Sequence, residues 1–274
     1  MRHRLILLTI MIAIPFMAIA QQEKGTCIVA HRGYWNCEKA GYAKNSLAAL
    51  KCAQELGFWG SEFDVNMTAD SVLVIFHDSH IKGKRIESHP FDEFKDYRLE
   101  NGEPIPTLEQ FLEQGKRHPE TVLVYELKKH SCNEAEDLFV DLSIEKLKET
   151  GMLDPSKVIF ISFSYHICMR LAEKLPGFTV QFLGGTKEPA KLLSDGINGL
   201  DYNYNILKFN KKWINKAQQL GMSTNSWTVN TSKDMEAMFR MNVDMITTDL
   251  PVLAREVLSS GKFREITNAA DAAE

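Results

Sequence analysis

The sequence predicts an α/β protein whose fold is a (β/α)8 TIM barrel with a small insertion after the second strand. Short apolar runs alternate with helical segments along the chain, and eight strand–helix units can be counted. The length of 274 residues suits a single barrel domain, and no linker-like segment divides it. An open doubly wound sheet is the alternative, but no glycine-rich phosphate loop follows the first strand.

The N-terminus has the pattern of a secretory signal peptide. A basic start precedes an apolar run from Leu5 to Ala20 that ends in small residues. The run is shorter than the roughly 20 residues of a membrane-spanning helix, so cleavage is favoured over a permanent anchor. We expect residues 1–20 to be the signal and residues 21–274 to form one domain. The protein is therefore expected to be exported, into the periplasm if the source is Gram-negative, with no stable membrane span after cleavage.

The charge balance excludes one class of partner. Loss of Arg2 and Arg4 with the signal takes the formal net charge from −4 to −6. Such an acidic chain lacks the basic excess needed for sequence-independent nucleic-acid binding, so no nucleic-acid partner is expected. An anionic substrate would require a local positive cluster, most simply a metal ion. The five cysteines leave their pairing open, and the oligomeric state is open as well.

The first predicted strand is Thr26–Ala30, an apolar run that ends abruptly at the polar sequence His31-Arg32-Gly33. The helix that follows extends to Leu56 and is expected to be capped by Asn45 or Ser46. Polar residues at the end of a buried strand are typical of a barrel active site.

The second predicted strand is Gly60–Thr68, and an additional strand is predicted at Val72–Phe76. Residues 79–106 contain turn signals with only weak periodicity between them. We therefore expect this segment to be an insertion that lies over one end of the barrel.

The rest of the chain alternates between strands and helices. The remaining predicted strands are Thr121–Lys128, Lys157–Ser162, Phe178–Leu183, Gly199–Tyr202, Met222–Val229 and Asp244–Thr248. The remaining predicted helices are 107–114, 134–150, 165–174, 188–194, 211–220, 232–241 and 251–258. These assignments depend on apolar periodicity and on capping, proline and glycine signals at the boundaries.

Two strands end in pairs of charged residues. Glu62 and Asp64 on the second strand, and Glu126 and Lys128 on the third, are each spaced by two residues, so each pair faces one side. Neighbouring carboxylates repel each other unless a proton or a cation lies between them. We expect the three acids and the lysine to converge at the C-terminal ends of the strands. Oxygen ligands of this kind suit Ca²⁺ or Mg²⁺ rather than zinc or copper.

Histidines flank this predicted metal site. His31 follows the first strand and His77 follows the additional strand. Imidazole titrates near neutral pH, so both side chains are candidates for proton transfer. Asp70 and Asp78 are expected to orient loops, and Trp35 is expected to be a packing residue.

The ordered set of motifs resembles the glycerophosphodiester phosphodiesterase family. The matching motifs are His31-Arg32-Gly33, Glu62-x-Asp64, Thr68-x-Asp70 with His77-Asp78, Glu126-x-Lys128, Trp227-Thr228-Val229-Asn230 and Asp244-x-Ile246-x-Thr248-Asp249. Each motif alone has little specificity, whereas the ordered set spans nearly the whole mature chain. The resemblance implies a phosphodiesterase TIM barrel, similar to phosphatidylinositol-specific phospholipase C, that hydrolyses small glycerophosphodiesters to an alcohol and glycerol 3-phosphate.

The resemblance also implies roles for individual residues. Glu62, Asp64 and Glu126 match the ligands of one divalent cation, either Ca²⁺ or Mg²⁺. His31 and His77 match a general acid and a general base, without an indication of which is which.

Three further residues match positions around the substrate. The resemblance implies that Arg32 and Lys128 lie near the phosphate and that Trp227 lines the pocket. One departure concerns the segment before the first helix, where the family usually has Pro-Glu-Asn-Thr and this chain has Ala43-Lys44-Asn45-Ser46. The lysine replaces an acid, which leaves the partner of Arg32 and the head group open.

Three alternative functions fit parts of the pattern. A phospholipase C or D acting on intact lipids would need an apolar docking surface, but residues 79–106 are polar. A glycoside hydrolase could use Glu62 and Glu126 as its carboxylate pair, and it would need no metal. A non-catalytic exported binding protein is disfavoured because the acids and both histidines are all present.

Overall fold

Eight parallel β-strands close into a barrel in the computed structural model, which describes residues 25–261. The strands in chain order are β1 (Cys27–Ala30), β2 (Gly60–Met67), β3 (Leu73–Ile75), β4 (His80–Ile81), β5 (Lys84–Arg85), β6 (Val122–Leu127), β7 (Val158–Ser162), β8 (Thr179–Phe182), β9 (Gly199–Asn203), β10 (Ser223–Trp227) and β11 (Met245–Thr248). β1 pairs with both β2 and β11, which closes the barrel, while β3 runs antiparallel to β2 and β4 pairs only with β5. The predicted TIM barrel is confirmed. The predicted signal peptide lies outside the described residues.

Helices connect the barrel strands and cover their outer faces. They are α1 (Leu47–Glu55), α2 (Leu108–Gly115), α3 (Asn133–Glu149), α4 (Tyr165–Lys174), α5 (Pro189–Ser194), α6 (Tyr204–Phe209), α7 (Lys212–Gln219), α8 (Ser232–Arg240) and α9 (Pro251–Ser260). The short helix α6 was not predicted, and it begins directly after β9 because the Asn203 side chain accepts a hydrogen bond from the Asn205 amide. Within residues 25–261, no helix has the length and apolar character needed to cross a membrane.

The alternation of side chains along β2 separates the main core from the barrel interior. Phe63 and Val65 are fully buried among the residues packed between strands and helices, and the Phe63 ring stacks on Phe111 at a centroid distance of 4.5 Å. Glu62 and Asp64 therefore point into the barrel, as the period of two predicts. A register shift of one residue would exchange these faces, so the apolar core fixes where the two acids point.

The predicted insertion packs as a small unit against one edge of the barrel. It contains the β4–β5 hairpin and has its own apolar cluster, which includes Ile81, Ile86, Phe94 and Leu99. Glu103 connects the insertion to α1, because its carboxylate accepts hydrogen bonds from the amides of Leu47 at 2.9 Å and Ala48 at 3.3 Å. A negative charge at a helix N-terminus satisfies free amides and interacts favourably with the helix dipole.

Replacement of Glu103 by alanine should lower the free energy of unfolding by about 1–2 kcal/mol, because two amides of α1 lose their acceptor. Urea denaturation of the Glu103→Ala protein measures this loss. Glu100 on the same loop is exposed, so Glu100→Ala is the matched control and should change stability by less than about 0.5 kcal/mol. Equal effects of the two substitutions would contradict the proposed connection.

Candidate active site

Three buried acids meet at the C-terminal ends of β2 and β6. Asp64 lies beside Glu126 in the strand register, and Glu62 is one inward-facing position earlier on β2. One carboxylate oxygen from each acid lies within 4.8 Å of the others. All three side chains are buried, and Oε1 of Glu62 has no hydrogen-bond partner within the described chain. The predicted convergence is confirmed, and an all-oxygen site of this kind fits a hard divalent cation.

Burial and mutual repulsion shift the pKa values of the acids in different directions. Burial raises the pKa of Glu62 well above its ordinary value, and the charges of Asp64 and Glu126 add to this effect. Burial, together with Asp64, also raises the pKa of Glu126 to about 7. For Asp64, burial has the same sign but is outweighed by Lys128, His77 and Arg32, which hold its pKa below the ordinary value. The site therefore favours one charged acid and two acids that readily take up protons.

Two cationic residues neutralise part of this acidic cluster. Nζ of Lys128 lies 2.7 Å from Oε1 of Glu126 and 3.1 Å from Oδ1 of Asp64. Nε of Arg32 lies 3.4 Å from Oδ2 of Asp64, and the Arg32 amide donates to Glu62 at 2.8 Å. The side chains of Lys128 and Arg32 therefore contact the acids, and from there they can also contact an anionic ligand.

The backbone after β1 adopts a left-handed turn that aims the Arg32 amide at Glu62. Arg32 has a φ of 56° and Gly33 has a φ of 77°. A Cβ atom on Gly33 would lie 2.7 Å from the backbone carbon of Ala49, so only glycine fits between the loop and α1. Gly33 is thus required by the close packing of this turn, which in turn positions His31 and Arg32.

Of the two residues expected as the cap of α1, Ser46 is the cap and Asn45 contacts Asp64. Ser46 caps α1 by accepting a hydrogen bond from the Ala49 amide, whereas Nδ2 of Asn45 donates to Oδ2 of Asp64 at 2.8 Å. The Asp64 amide returns a hydrogen bond to Oδ1 of Asn45 at 3.2 Å. Lys44 is exposed, and its ammonium lies over the Trp35 ring at 4.4 Å from the centroid. The partner of Arg32, which the sequence left open, is Asp64, and the replacement at Lys44 does not take its place.

His31 is oriented by Asp249, to which the sequence assigned no role beyond its place in the last family motif. Nδ1 of His31 lies 2.8 Å from Oδ1 of Asp249, and Nε2 faces Glu62 at 3.9 Å. Asp249 also accepts hydrogen bonds from the Trp35 indole at 3.1 Å and from Asn230 at 2.7 Å. Burial opposes ionisation of Asp249, but these partners, His31 foremost, lower its pKa to about 2. Trp35 packs against Ala40, Ala49 and Cys52, as expected, and its indole also donates to Asp249. The ordered family motif was the sequence signal that included Asp249.

His77 lines the same cavity as His31 and is more accessible, with 41% of its side chain exposed against 17% for His31. Its Nδ1 is 2.6 Å from Oδ1 of Asp78, so Asp78 orients the imidazole, a contact that the expected loop-orienting role did not include. Burial lowers the pKa of His77, and the positive charges of Lys128 and Arg32 act in the same direction, against the attraction of Asp64. A histidine with a lowered pKa is more often neutral near pH 7, as a proton acceptor must be.

These side chains surround two adjoining spaces. The inner one is a cavity of about 130 Å³ whose lining includes His31, Arg32, Glu62, His77, Glu126, Asp201 and Trp227. The outer one is an open groove of about 560 Å³ whose lining includes His77, Asp78, His80, Lys128 and Lys129. Phe163 borders both, and its ring contacts Trp227 edge-on at a centroid distance of 5.4 Å. Every residue predicted for the site is therefore brought to one place, and Asn45, Phe163, Asp201 and Asp249 join it.

The fold and the site together define a (β/α)8-barrel enzyme with a candidate divalent-metal centre at the C-terminal ends of its strands. A model of the glycerophosphoryl diester phosphodiesterase family matches residues 31–253. The chain belongs to this family. The family match confirms the resemblance of the motifs and identifies the protein as a phosphodiesterase.

Individual relatives agree with this assignment. A glycerophosphodiester phosphodiesterase from Caldanaerobacter subterraneus is 28% identical over 247 residues, which cover 82% of this chain and 95% of that protein. A crystal structure of a glycerophosphodiester phosphodiesterase from Parabacteroides distasonis is 42% identical, with a TM-score of 0.83 over 86% of this chain and 98% of its own. A phosphodiesterase from Oleispira antarctica, solved with the product sn-glycerol-3-phosphate, shares the fold at 22% identity, with a TM-score of 0.72 over 86% of this chain and 97% of its own.

Cation binding should strengthen as the pH rises through neutrality. Glu126, whose pKa is raised to about 7, and Glu62 must each lose a proton before a cation can bind. For each such proton, the cation affinity should decrease by up to about tenfold for every unit by which the pH is lowered. Calorimetric titration with Ca²⁺ and with Mg²⁺ at pH 6, 7 and 8 measures this dependence. The stability of the cation-free protein should depend on pH in the opposite direction. Because the pKa of Glu126 is higher in the folded than in the unfolded protein, the free energy of unfolding should decrease as the pH rises from about 4.5 to about 7.

The Glu126→Gln protein should lose most of its cation affinity, and Glu120→Gln, which alters an exposed acid, should bind as the wild type does. A cation affinity that is flat between pH 6 and pH 8 would contradict the assignment of the buried acids as ligands.

Proposed function

We propose that the protein hydrolyses glycerophosphodiesters to glycerol 3-phosphate and an alcohol, with one divalent cation held by Glu62, Asp64 and Glu126. The observation that supports this most directly is the buried acid cluster, with its unpartnered Glu62 oxygen, opening into a cavity that both His31 and His77 line. The family match and the glycerol 3-phosphate bound to the Oleispira antarctica neighbour support the same substrate class. A bound cation would supply charge neutralisation and orientation of the phosphate.

The chain's own residues account for substrate binding. Lys128 and Arg32 lie at the acids and can turn their donors toward phosphate oxygens once a cation shares the acidic charge. Trp227 lines the cavity together with the apolar side chains of Ile161, Phe163 and Leu183, which lowers the polarity around the reacting phosphate. Ca²⁺ and Mg²⁺ both fit this oxygen-only set.

Proton transfer falls to the two histidines. Asp249 holds Nδ1 of His31, which leaves Nε2 directed toward the acids, and Asp78 holds Nδ1 of His77 in the same manner. One imidazole removes a proton from water or from a neighbouring substrate hydroxyl, and the other protonates the leaving alcohol. Both imidazoles line the cavity into which the acid cluster opens, so each can act on a phosphate bound there. Export through the predicted signal peptide would bring the enzyme to diesters outside the cytoplasm.

The wild-type enzyme should release glycerol 3-phosphate from a panel of deacylated diesters, such as those of choline, ethanolamine and glycerol, and should lose this activity in EDTA. A coupled assay for glycerol 3-phosphate measures release, and added Ca²⁺ or Mg²⁺ should restore it. Intact phospholipid is the comparison substrate and should not be cleaved. Activity that persists in EDTA after exhaustive dialysis would exclude the proposed mechanism.

His31→Ala and His77→Ala should each lower kcat by at least about 100-fold, because each removes one proton-transfer group. Their affinity for the cation should stay within about threefold of wild type, because neither imidazole belongs to the acid cluster. His118→Ala is the control and should leave kcat unchanged, because this half-buried histidine lies outside the site and its side chain pairs with Glu120 alone among residues 25–261. Near-normal turnover in either active-site variant would refute the assignment.

A further inference from the structure

Asp201 on β9 is a buried acid for which the proposed chemistry has no use. Its side chain is 1% exposed, and its Oδ2 accepts a hydrogen bond from Nδ2 of Asn225 at 3.2 Å. Its Oδ1 is buried and has no hydrogen-bond partner within residues 25–261. Buried polar atoms are nearly always hydrogen-bonded, and leaving one unpaired is costly. The geometry therefore indicates a partner other than residues 25–261.

The position of Asp201 shows where that partner lies. Asp201 lines the inner cavity together with His31, Glu126 and Trp227. The Trp227 indole donates to the backbone oxygen of Asp201 at 3.0 Å, so strand and cavity wall are held in register. Asp201 does not belong to the acid cluster whose oxygens lie within 4.8 Å of one another. It is thus a separate polar group in the same cavity rather than a fourth member of that cluster.

The remaining lining of the cavity restricts what the partner is. The apolar residues Ile161, Phe163 and Leu183 line it as well. A volume of about 130 Å³ corresponds to roughly four water molecules, which suits a small alcohol but not a bulky head group. The outer groove is larger and open, and its charged and polar lining suits a variable alcohol.

We propose that Asp201 binds a hydroxyl group of the glycerol part of the diester and thereby selects substrates with a hydroxylated, three-carbon alcohol in the inner cavity. This inference rests on the proposed function. A hydroxyl both donates and accepts a hydrogen bond, so the contact forms with either state of the carboxyl. A site that satisfies a buried polar group with a substrate hydroxyl discriminates against analogues that lack it.

The test compares two diesters with the same head group, one carrying glycerol and the other a propyl group without hydroxyls. Wild-type kcat/KM should favour the glycerol diester by about 10- to 100-fold, the effect of one buried hydrogen bond to a carboxyl group. Asp201→Ala should remove most of this preference, mainly by raising KM for the glycerol diester, and should change kcat/KM for the propyl diester by less than about threefold.

Gln181→Met is the matched control. Gln181 on the neighbouring strand β8 is fully buried, and its Oε1 has no hydrogen-bond partner among the described residues, but it does not line the cavity. Its substitution should leave the preference between the two diesters unchanged. If it removes the preference as fully as Asp201→Ala does, selectivity depends on general barrel packing and the proposal is overturned.

Direct binding separates this proposal from the proposed function. Calorimetry with glycerol 3-phosphate and with propyl phosphate, in the presence of Ca²⁺, should show at least tenfold tighter binding of the hydroxylated ligand to wild type. Asp201→Ala should reduce that ratio to near one while binding Ca²⁺ as wild type does. Equal wild-type affinity for the two phosphates overturns the role of Asp201, whether or not the variant folds. Absence of turnover with preserved ligand discrimination would instead overturn the proposed function alone.

Discussion

Electrostatic repulsion among Glu62, Asp64 and Glu126 is the constraint on which the rest of the site depends. Three acids buried within 4.8 Å of one another cannot all be charged without compensation. The chain supplies that compensation through Lys128, Arg32 and the raised pKa of Glu126, about 7. Each of these devices is also suited to phosphate chemistry, since the cations can bind phosphate oxygens and the acids can exchange protons for a metal ion. The cost of burying the acids is thus offset by groups that the proposed reaction uses.

The same network that closes the barrel also orients His31. The final pairing of β1 with β11 places Ala30 beside Thr248, and the His31 amide donates to the Thr248 carbonyl at 2.9 Å. Asp249 follows immediately and reaches Nδ1 of His31, while Asn230 holds both the Thr248 hydroxyl and the Asp249 amide. The strand pairing that closes the barrel therefore also positions the imidazole of His31, so a distortion of the β1–β11 pairing would displace this side chain.

Sequence reasoning located the charged pairs of β2 and β6 because side chains in strands alternate with a fixed period of two. The facing direction of Glu62, Asp64 and Glu126 followed from that local rule once a barrel was assumed. The contacts from Asn45 to Asp64 and from Asp249 to His31 could not be found this way, because they join residues that only the closed barrel brings together. The sequence also could not predict that Oδ1 of Asp201 lacks a hydrogen-bond partner among residues 25–261, because this depends on three-dimensional packing.

The structure shows what Lys44, which replaces the acid usual in the family, contacts. The lysine was expected to affect either the partner of Arg32 or the choice of head group, yet Arg32 pairs with Asp64 and Lys44 lies over Trp35. Because the Trp35 indole donates to Asp249, a charge at Lys44 is linked to the orientation of His31 rather than to the outer groove. Lys44 does not line the groove that contains His80 and Lys129. Lys44 is therefore connected through Trp35 and Asp249 to His31, on the side of the site away from the groove.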